Sequence, residues 1–275
     1  MDAEVRLLTG HSAQRNTAPL LLTKEFFAES LGTEEEKPPR IFPWSEKVKK
    51  LKELEVEFSF FLNFNNLLRS MTPETFIKEV LSRLSIKKIV IGDDFRFGAN
   101  REGDFAFLKN WGDENNLLIE KTETFSIHDQ RVSSTRIREC LIAGDFKGAE
   151  ELLGRPFTFN GKVVYGQQLG TQLGVPTANL WLPKNKLPIA GVYIVKVEAE
   201  GNIYNGIANM GTRPTVDGQN PVLEVHILDY SGSLYGKKIT VEFLEKVRDE
   251  KKFNGLDELK EQIFKDISTA RQYFS

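Results

Sequence analysis

Four glycines, Gly161, Gly166, Gly170 and Gly174, fall within fourteen residues and lead into Pro176-Thr177-Ala178-Asn179. Glycine tolerates positive φ and lets backbone N–H groups approach an anion, so such a loop beside a strand is suited to cradling phosphate. No Gly-Lys-Ser/Thr follows, which excludes the Walker pattern, and no long helix pattern opens after the glycines, which excludes a dinucleotide fingerprint. Thr177 and Asn179 add two neutral oxygen donors, the kind Mg²⁺ accepts when substrate phosphates complete its shell. Spacing alone favours an ordinary turn, because most glycine clusters are turns. The downstream residues reverse that preference.

Asn209, Gly211, Arg213 and Thr215 form a second glycine-containing segment, and Leu223-Glu224-Val225-His226 sits on an alternating strand pattern. Leu234-Tyr235-Gly236 and the run from Arg248 to Phe253 follow. In this order, Gly161 to Asn179 resembles the ATP loop of riboflavin kinases, Asn209–Thr215 their second loop, and Leu223–Asp229 the strand of their catalytic base. Upstream, Gly92–Gly98 and Ser133-Ser134-Thr135-Arg136-Ile137-Arg138 resemble the adenylyltransferase half of bacterial bifunctional riboflavin kinase/FAD synthetases. The resemblance covers residues 40 to 275.

The chain has 275 residues, enough for two cores, and its 37 basic and 39 acidic residues nearly balance. That balance argues against a nucleic-acid or anionic-membrane surface. The single cysteine, Cys140, excludes an intramolecular disulfide and reads as a buried small hydrophobe on a helix. His11, His128 and His226 are too widely spaced for a histidine-rich metal site. No apolar run reaches the roughly 20 residues that span a membrane, and the start does not resemble a signal peptide, so a soluble cytoplasmic protein is expected.

Helix and strand patterns alternate in the first half. Helices are expected over 45–54, 73–84 (capped by Thr72), 105–114 and 134–143, with a buried strand over 56–64 and further strands over 88–92 and 117–124. Alternation of this kind implies an open, Rossmann-like parallel sheet with ligands at the carboxyl ends of its strands. Beyond Gly154 strand patterns dominate until a helix over 256–273, which predicts a small antiparallel β-barrel with a terminal helix. The boundary is placed near Gly154: residues 1–154 form the α/β nucleotidyltransferase domain and 155–275 the kinase domain.

The resemblance implies roles. Glu224 is the catalytic base that takes the proton of the riboflavin 5′-hydroxyl, although an anonymous strand glutamate is more often simply solvated. His226 shares its face and is expected to be a packed, hydrogen-bonded histidine. Gly161, Gly166, Gly170, Gly174, Thr177 and Asn179 bind ATP, the last two also Mg²⁺, while Arg248 and Phe253 close over the flavin. Where the family often carries basic residues this chain has Leu169 and Thr171. This implies a raised Michaelis constant for ATP, with backbone N–H groups and Mg²⁺ bearing more of the charge.

In the adenylyltransferase half the resemblance gives Asp94, Phe95, Ser133, Ser134, Thr135, Arg136 and Arg138 as nucleotide-binding residues. Hydroxyls and N–H groups opening a helix suit a phosphate, and the arginines add charge, though Ser-Thr before a helix is commonly only a cap. The family begins with a His-x-Gly-His signature that contacts ATP phosphates. Here Gly10-His11 is its surviving half and Leu8 stands in the place of the first histidine. A second shortening follows Thr23, where Lys24 replaces a Pro-His-Pro-like segment. Either the adenylyltransferase is degenerate or loop residues have dropped out of the sequence; the second is favoured because the losses are abrupt while Phe26 onward fits. The expected activity is bifunctional, ATP and riboflavin giving FMN, then ATP and FMN giving FAD. The rivals are a monofunctional riboflavin kinase and a non-catalytic flavin-binding regulator, the latter disfavoured because a binder needs no Glu224.

Overall fold

The computed structural model describes residues 5–7, 20–25, 39–166, 169–182, 187–215 and 218–275. Backbone proximity divides the chain into two compact units, Met1–Lys37 with Val48–Val132, and Pro38–Lys47 with Ser133–Ser275.

In chain order the first elements are β1 (Val5–Leu7), β2 (Leu20–Glu25), α1 (Trp44–Glu53), β3 (Phe58–Asn63), α2 (Asn66–Ser70) and α3 (Pro73–Glu79). Next come β4 (Lys88–Ile91), α4 (Phe105–Glu114), β5 (Leu118–Lys121) and the short hairpin β6 (Ser126–Ile127) and β7 (Gln130–Arg131). The sheet of the first unit has the order β3-β2-β1-β4-β5. β2 pairs β3 and β4 pairs β5 in parallel, while β1 is antiparallel to both β2 and β4. Four strands therefore run one way, as expected for an α/β domain, and β1 runs against them. Residues 8–19 join β1 to β2, a length near the lower limit of about a dozen for a parallel crossover, whereas antiparallel neighbours need much less.

Ile89 and Ile91 of β4, Ile119 of β5, Phe76 and Ile77 of α3 and Leu108 of α4 build this unit's core with Phe95 and Phe97. β3 departs from the expected buried strand. It lies at the sheet edge and leaves Phe58 and Phe60 exposed. The helix expected to reach residue 84 stops at Glu79, followed by a 3₁₀ turn over Leu81–Arg83. Its start is as expected: the Thr72 hydroxyl accepts the Thr75 N–H at 3.2 Å. Thr72→Ala should cost this unit about 1 kcal/mol, the usual loss for an N-cap, measurable as a lowered denaturation midpoint with unchanged slope.

The second unit holds α5 (Ser134–Ala143), α6 (Phe146–Leu153), β8 (Thr158–Val164), α7 (Leu169–Gln172), β9 (Ala178–Leu180) and β10 (Gly191–Ala199). It continues with β11 (Asn202–Thr215), β12 (Gly218–Ile227), β13 (Lys238–Arg248) and α8 (Leu256–Phe274). The strands close into an antiparallel barrel in the order β10-β11-β12-β9-β8-β13. Its interior is aromatic: Phe157, Phe159, Tyr193 and Phe243 pack edge to face or tilted, and Phe146 of α6 stacks on Phe157 and Phe243 and meets Tyr193 edge to face. Tyr193 donates to the Ala190 carbonyl at 2.7 Å, which satisfies its buried hydroxyl, and burial pushes its phenol far above the ordinary range. α8 covers an outer face, where Ile267 and Ala270 meet Val192, Ile194 and Ile207. Cys140 is half-buried rather than buried, and burial pushes its thiol up, away from a nucleophile's range.

The segment Asn209–Thr215, expected as a loop, belongs to β11 and pairs with β12 without interruption as far as Thr215 opposite Gly218. Its Gly211 and Pro214 read as breakers. Among the described residues, however, the two strands pair only with each other beyond Met210 and Leu223, and such a ribbon tolerates proline.

Candidate active site

The barrel register assembles the first candidate site. Asn179 of β9 lies opposite Glu224 of β12, and Glu224 lies opposite Asn209 of β11. Directly opposed residues share a face, so a carboxylate stands between two amides on the outer side of the barrel. Leu223, Val225 and Ile227 are buried inside, while Val222, Glu224 and His226 are half-buried on the other face, the alternation read from the sequence. Thr177 precedes β9 directly and Asn179 by two residues. Asn179 is only 6% exposed, so its amide is held in place by its surroundings.

The glycine-rich turn leans on this row. Gly166 passes so close to Asn179 that a Cβ there would sit 2.4 Å from Oδ1. Gly174 adopts φ +83° just after α7, the left-handed conformation that ends a helical turn. Gly170 lies within α7 and accepts the Val175 N–H at 2.7 Å through its carbonyl. Gly161 sits within β8, opposite Ile239, outside the turn. Nδ1 of His226 lies 2.8 Å from the Pro176 carbonyl. A carbonyl only accepts, so Nδ1 carries the proton, and His226 anchors the approach to Thr177 in the packed role expected of it.

Hydroxyl and amide oxygens are hard donors, so Thr177 and Asn179 fit Mg²⁺. Among the described residues no group of three or more His, Cys, Asp or Glu is placed to hold a metal, so phosphate and water oxygens would have to complete the shell.

Arg248 ends β13 with its guanidinium 5.8 Å from the Phe253 ring, so the two proposed flavin contacts are neighbours. The guanidinium is also paired with Asp266 of α8 at 2.8 Å.

The residues expected for the adenylyltransferase fall in both units. In the first, the carboxyl end of β4 opens into the Gly92–Gly98 loop, where α/β sheets bind ligands. The Thr124 hydroxyl donates to Asp93, and Arg131 pairs with Asp93 at 3.4 Å and with Asp94 at 2.8 Å. The Thr124 bond, then the Arg131 charge, holds the Asp93 carboxyl below its usual range. Phe95 is buried and stacks on Phe97 at 5.5 Å, so its visible contacts are those of packing. In the second unit Ser133 caps α5, its hydroxyl accepting the Arg136 N–H at 3.3 Å, and Ser134 and Thr135 form the first turn. Arg138 donates through Nε to the Pro39 carbonyl at 2.7 Å. His11 lies outside the described residues. β2 runs through Thr23 and Lys24 in unbroken register with Phe61 and Leu62 of β3.

Two family models match: FAD synthetase over residues 8–136 and riboflavin kinase over residues 153–274. The chain is 41% identical to the bifunctional riboflavin kinase/FMN adenylyltransferase of Haemophilus influenzae, over 86% of this chain and 78% of that protein. It belongs to that family. The Escherichia coli K12 member is also 41% identical, over 95% of this chain and 84% of its own length. A crystal structure from Streptococcus pneumoniae described as a macrolide-efflux protein is 31% identical with a TM-score of 0.70, covering 92% of this chain and 83% of that one. Among the described residues of this family member no helix is long and apolar enough to cross a membrane.

Asn209 and Asp266 escape a reading of site residues from the sequence alone. The opposition of Asn209 to Glu224 is a fact of strand register, which one sequence does not carry. Asp266 left a faint signal: an acid within the stripe of Ile263, Ile267 and Ala270 on α8.

Proposed function

We propose that this chain makes both flavin nucleotides, phosphorylating riboflavin with ATP to FMN and then adenylylating FMN with a second ATP to FAD and pyrophosphate. We assign the kinase to residues 155–275 and the adenylyltransferase to residues 1–154. The observation that carries the kinase half is the row Asn179–Glu224–Asn209 beside the glycine-rich turn. Phosphoryl transfer asks a protein mainly for positioning, charge stabilisation and a proton acceptor. Glu224 takes the proton of the ribityl 5′-hydroxyl as its oxygen bonds to the γ-phosphorus; the bond to the β–γ bridging oxygen breaks and ADP leaves. Gly161, Gly166, Gly170 and Gly174 belong to the ATP segment, and Thr177 and Asn179 would hold Mg²⁺. The ion, when bound with ATP, neutralises phosphate charge. Arg248 and Phe253 offer flat surfaces to the isoalloxazine ring.

In the second reaction an FMN phosphate oxygen attacks the α-phosphorus of ATP, and the bond to the α–β bridging oxygen breaks to release pyrophosphate. Asp94, Phe95, Ser133, Ser134, Thr135, Arg136 and Arg138 are the residues proposed for this nucleotide site, with His11 as the remaining phosphate-contacting histidine. Incubation with riboflavin, ATP and Mg²⁺, followed by chromatography, tests both halves. FMN followed by FAD is the expected course. FMN without FAD would confine the activity to the kinase, and neither product would overturn the enzyme reading.

A further inference from the structure

Among the described residues only Glu46, Asn179 and Asp266 are buried polar or charged side chains. Asn179 belongs to the site, whereas Asp266, 5% exposed, has no part in the chemistry so far derived. Burying a carboxylate is unfavourable unless it is paired and hydrogen-bonded, and an apolar residue in the same stripe of α8 would avoid that penalty. What a carboxylate does there and an apolar residue does not is grip Arg248. Nε of Arg248 donates to Oδ1 at 3.1 Å and to Oδ2 at 3.0 Å, and Nη2 donates to Oδ2 at 2.8 Å, a two-pronged clamp. Gln262 steadies the acid from behind, its Nε2 donating to Oδ1 at 2.8 Å.

The clamp sets the course of the segment leaving β13. Nη1 of Arg248 donates to the Asp249 carbonyl at 2.9 Å, fixing the first peptide of that segment. One residue on, the Glu250 carboxylate rests over Gly211: a Cβ there would lie 2.2 Å from Oε1. Gly211 is two residues along β11 from Asn209, the residue opposite Glu224. At the far end, the Asn254 N–H donates to Glu258 at 3.0 Å, and Lys251 pairs with Glu258 at 3.1 Å, fastening the segment to the first turn of α8. Residues 249–254 are thus held at both ends by α8, and Glu250 rests over Gly211, next to the Glu224 row.

We propose that Asp266 is a positioning residue of the kinase half: by clamping Arg248 it holds segment 249–254 so that Glu250 stands at the edge of the Asn179–Glu224–Asn209 row and Phe253 stays beside Arg248, where the flavin binds. This inference rests on the kinase reading. Glu250 there offers a carboxylate to the hydroxyls of a ribityl chain, and Phe253 an aromatic face to the ring. The segment therefore contributes to flavin affinity and not to ATP affinity.

The test is steady-state kinetics of the full chain, with riboflavin and ATP varied separately. Asp266→Asn keeps the size of the side chain and weakens the grip. It should raise the riboflavin KM about tenfold while the ATP KM stays within about twofold, and Asp266→Glu, which restores the charge, should recover part of the loss. Gly211→Ala leaves the ion pair intact and displaces only the flexible end of Glu250, so it should give the same riboflavin-selective rise. It also serves where Asp266→Asn fails to fold. A riboflavin KM unchanged in the folded variants, or both KM values raised equally, overturns the positioning role and leaves the kinase reading standing. A wild-type protein that makes no FMN overturns both.

Discussion

Glu224→Gln should lower riboflavin phosphorylation by about 10²-fold or more, the usual consequence of losing a general base. Glutamine keeps the length and hydrogen-bonding reach of the side chain, so the row with Asn179 and Asn209 should persist while the proton acceptor is lost. The loss should fall on kcat, with the riboflavin and ATP KM values changing far less, because the group acts in the transition state and not in ground-state binding. Conversion of added FMN to FAD should continue at the wild-type rate, since Glu224 belongs to the kinase barrel. FMN formation by the variant at close to the wild-type rate would remove Glu224 from the mechanism. Loss of flavin binding without a change in kcat would make it a binding residue.

The sequence was most informative where local chemistry decides structure. The Thr72 cap, the bounds Phe105–Glu114 and Ser134–Ala143, and the alternation around Glu224 are local properties of short stretches, and all are realised. The expectations that failed depended on distant parts of the chain. Phe58 and Phe60 look buried by composition, yet β3 lies at an edge, and edge or centre is a matter of sheet order. The reversed β1 is a fact of strand pairing, which the alternation of patterns does not register. Gly211 and Pro214 punctuate a sequence, but a partner strand held in register carries the ladder through them.

The candidate site divides in the same way. Thr177, Asn179 and Glu224 stand out in the sequence because their residue types suit metal and proton chemistry within recognisable segments. Their meeting was not legible, because β9 and β12 are brought together by barrel closure and not by sequence proximity. Ser133 had two readings, cap and phosphate ligand. Its hydroxyl makes the capping bond, which also fixes the helix end where Ser134 and Thr135 begin. Arg248 was expected from the resemblance to close over the flavin, but the buried acid it pairs with lies eighteen residues away on α8.

Gly166→Ala should damage the kinase reaction through Asn179. The added Cβ would lie 2.4 Å from Oδ1, 2.5 Å from Cγ and 2.6 Å from Nδ2 of Asn179, closer than real contacts allow. Asn179 is buried, so its amide has little room to retreat, and either the turn lifts away or the amide leaves the row beside Glu224. Displacements of about 1 Å at such a site cost on the order of 10²-fold in rate, so kcat/KM for ATP in the kinase reaction should fall by about that factor. Adenylylation of added FMN should be untouched. Gly154→Ala is the control: nothing lies within 4 Å of its Cβ position, and its φ of +67° makes it strained without touching the turn. It should lose about 1 kcal/mol of stability with its ATP KM unchanged. If Gly166→Ala phosphorylates riboflavin with a wild-type ATP KM, the turn does not press Asn179 into place, and the proposed ATP site must be drawn without it.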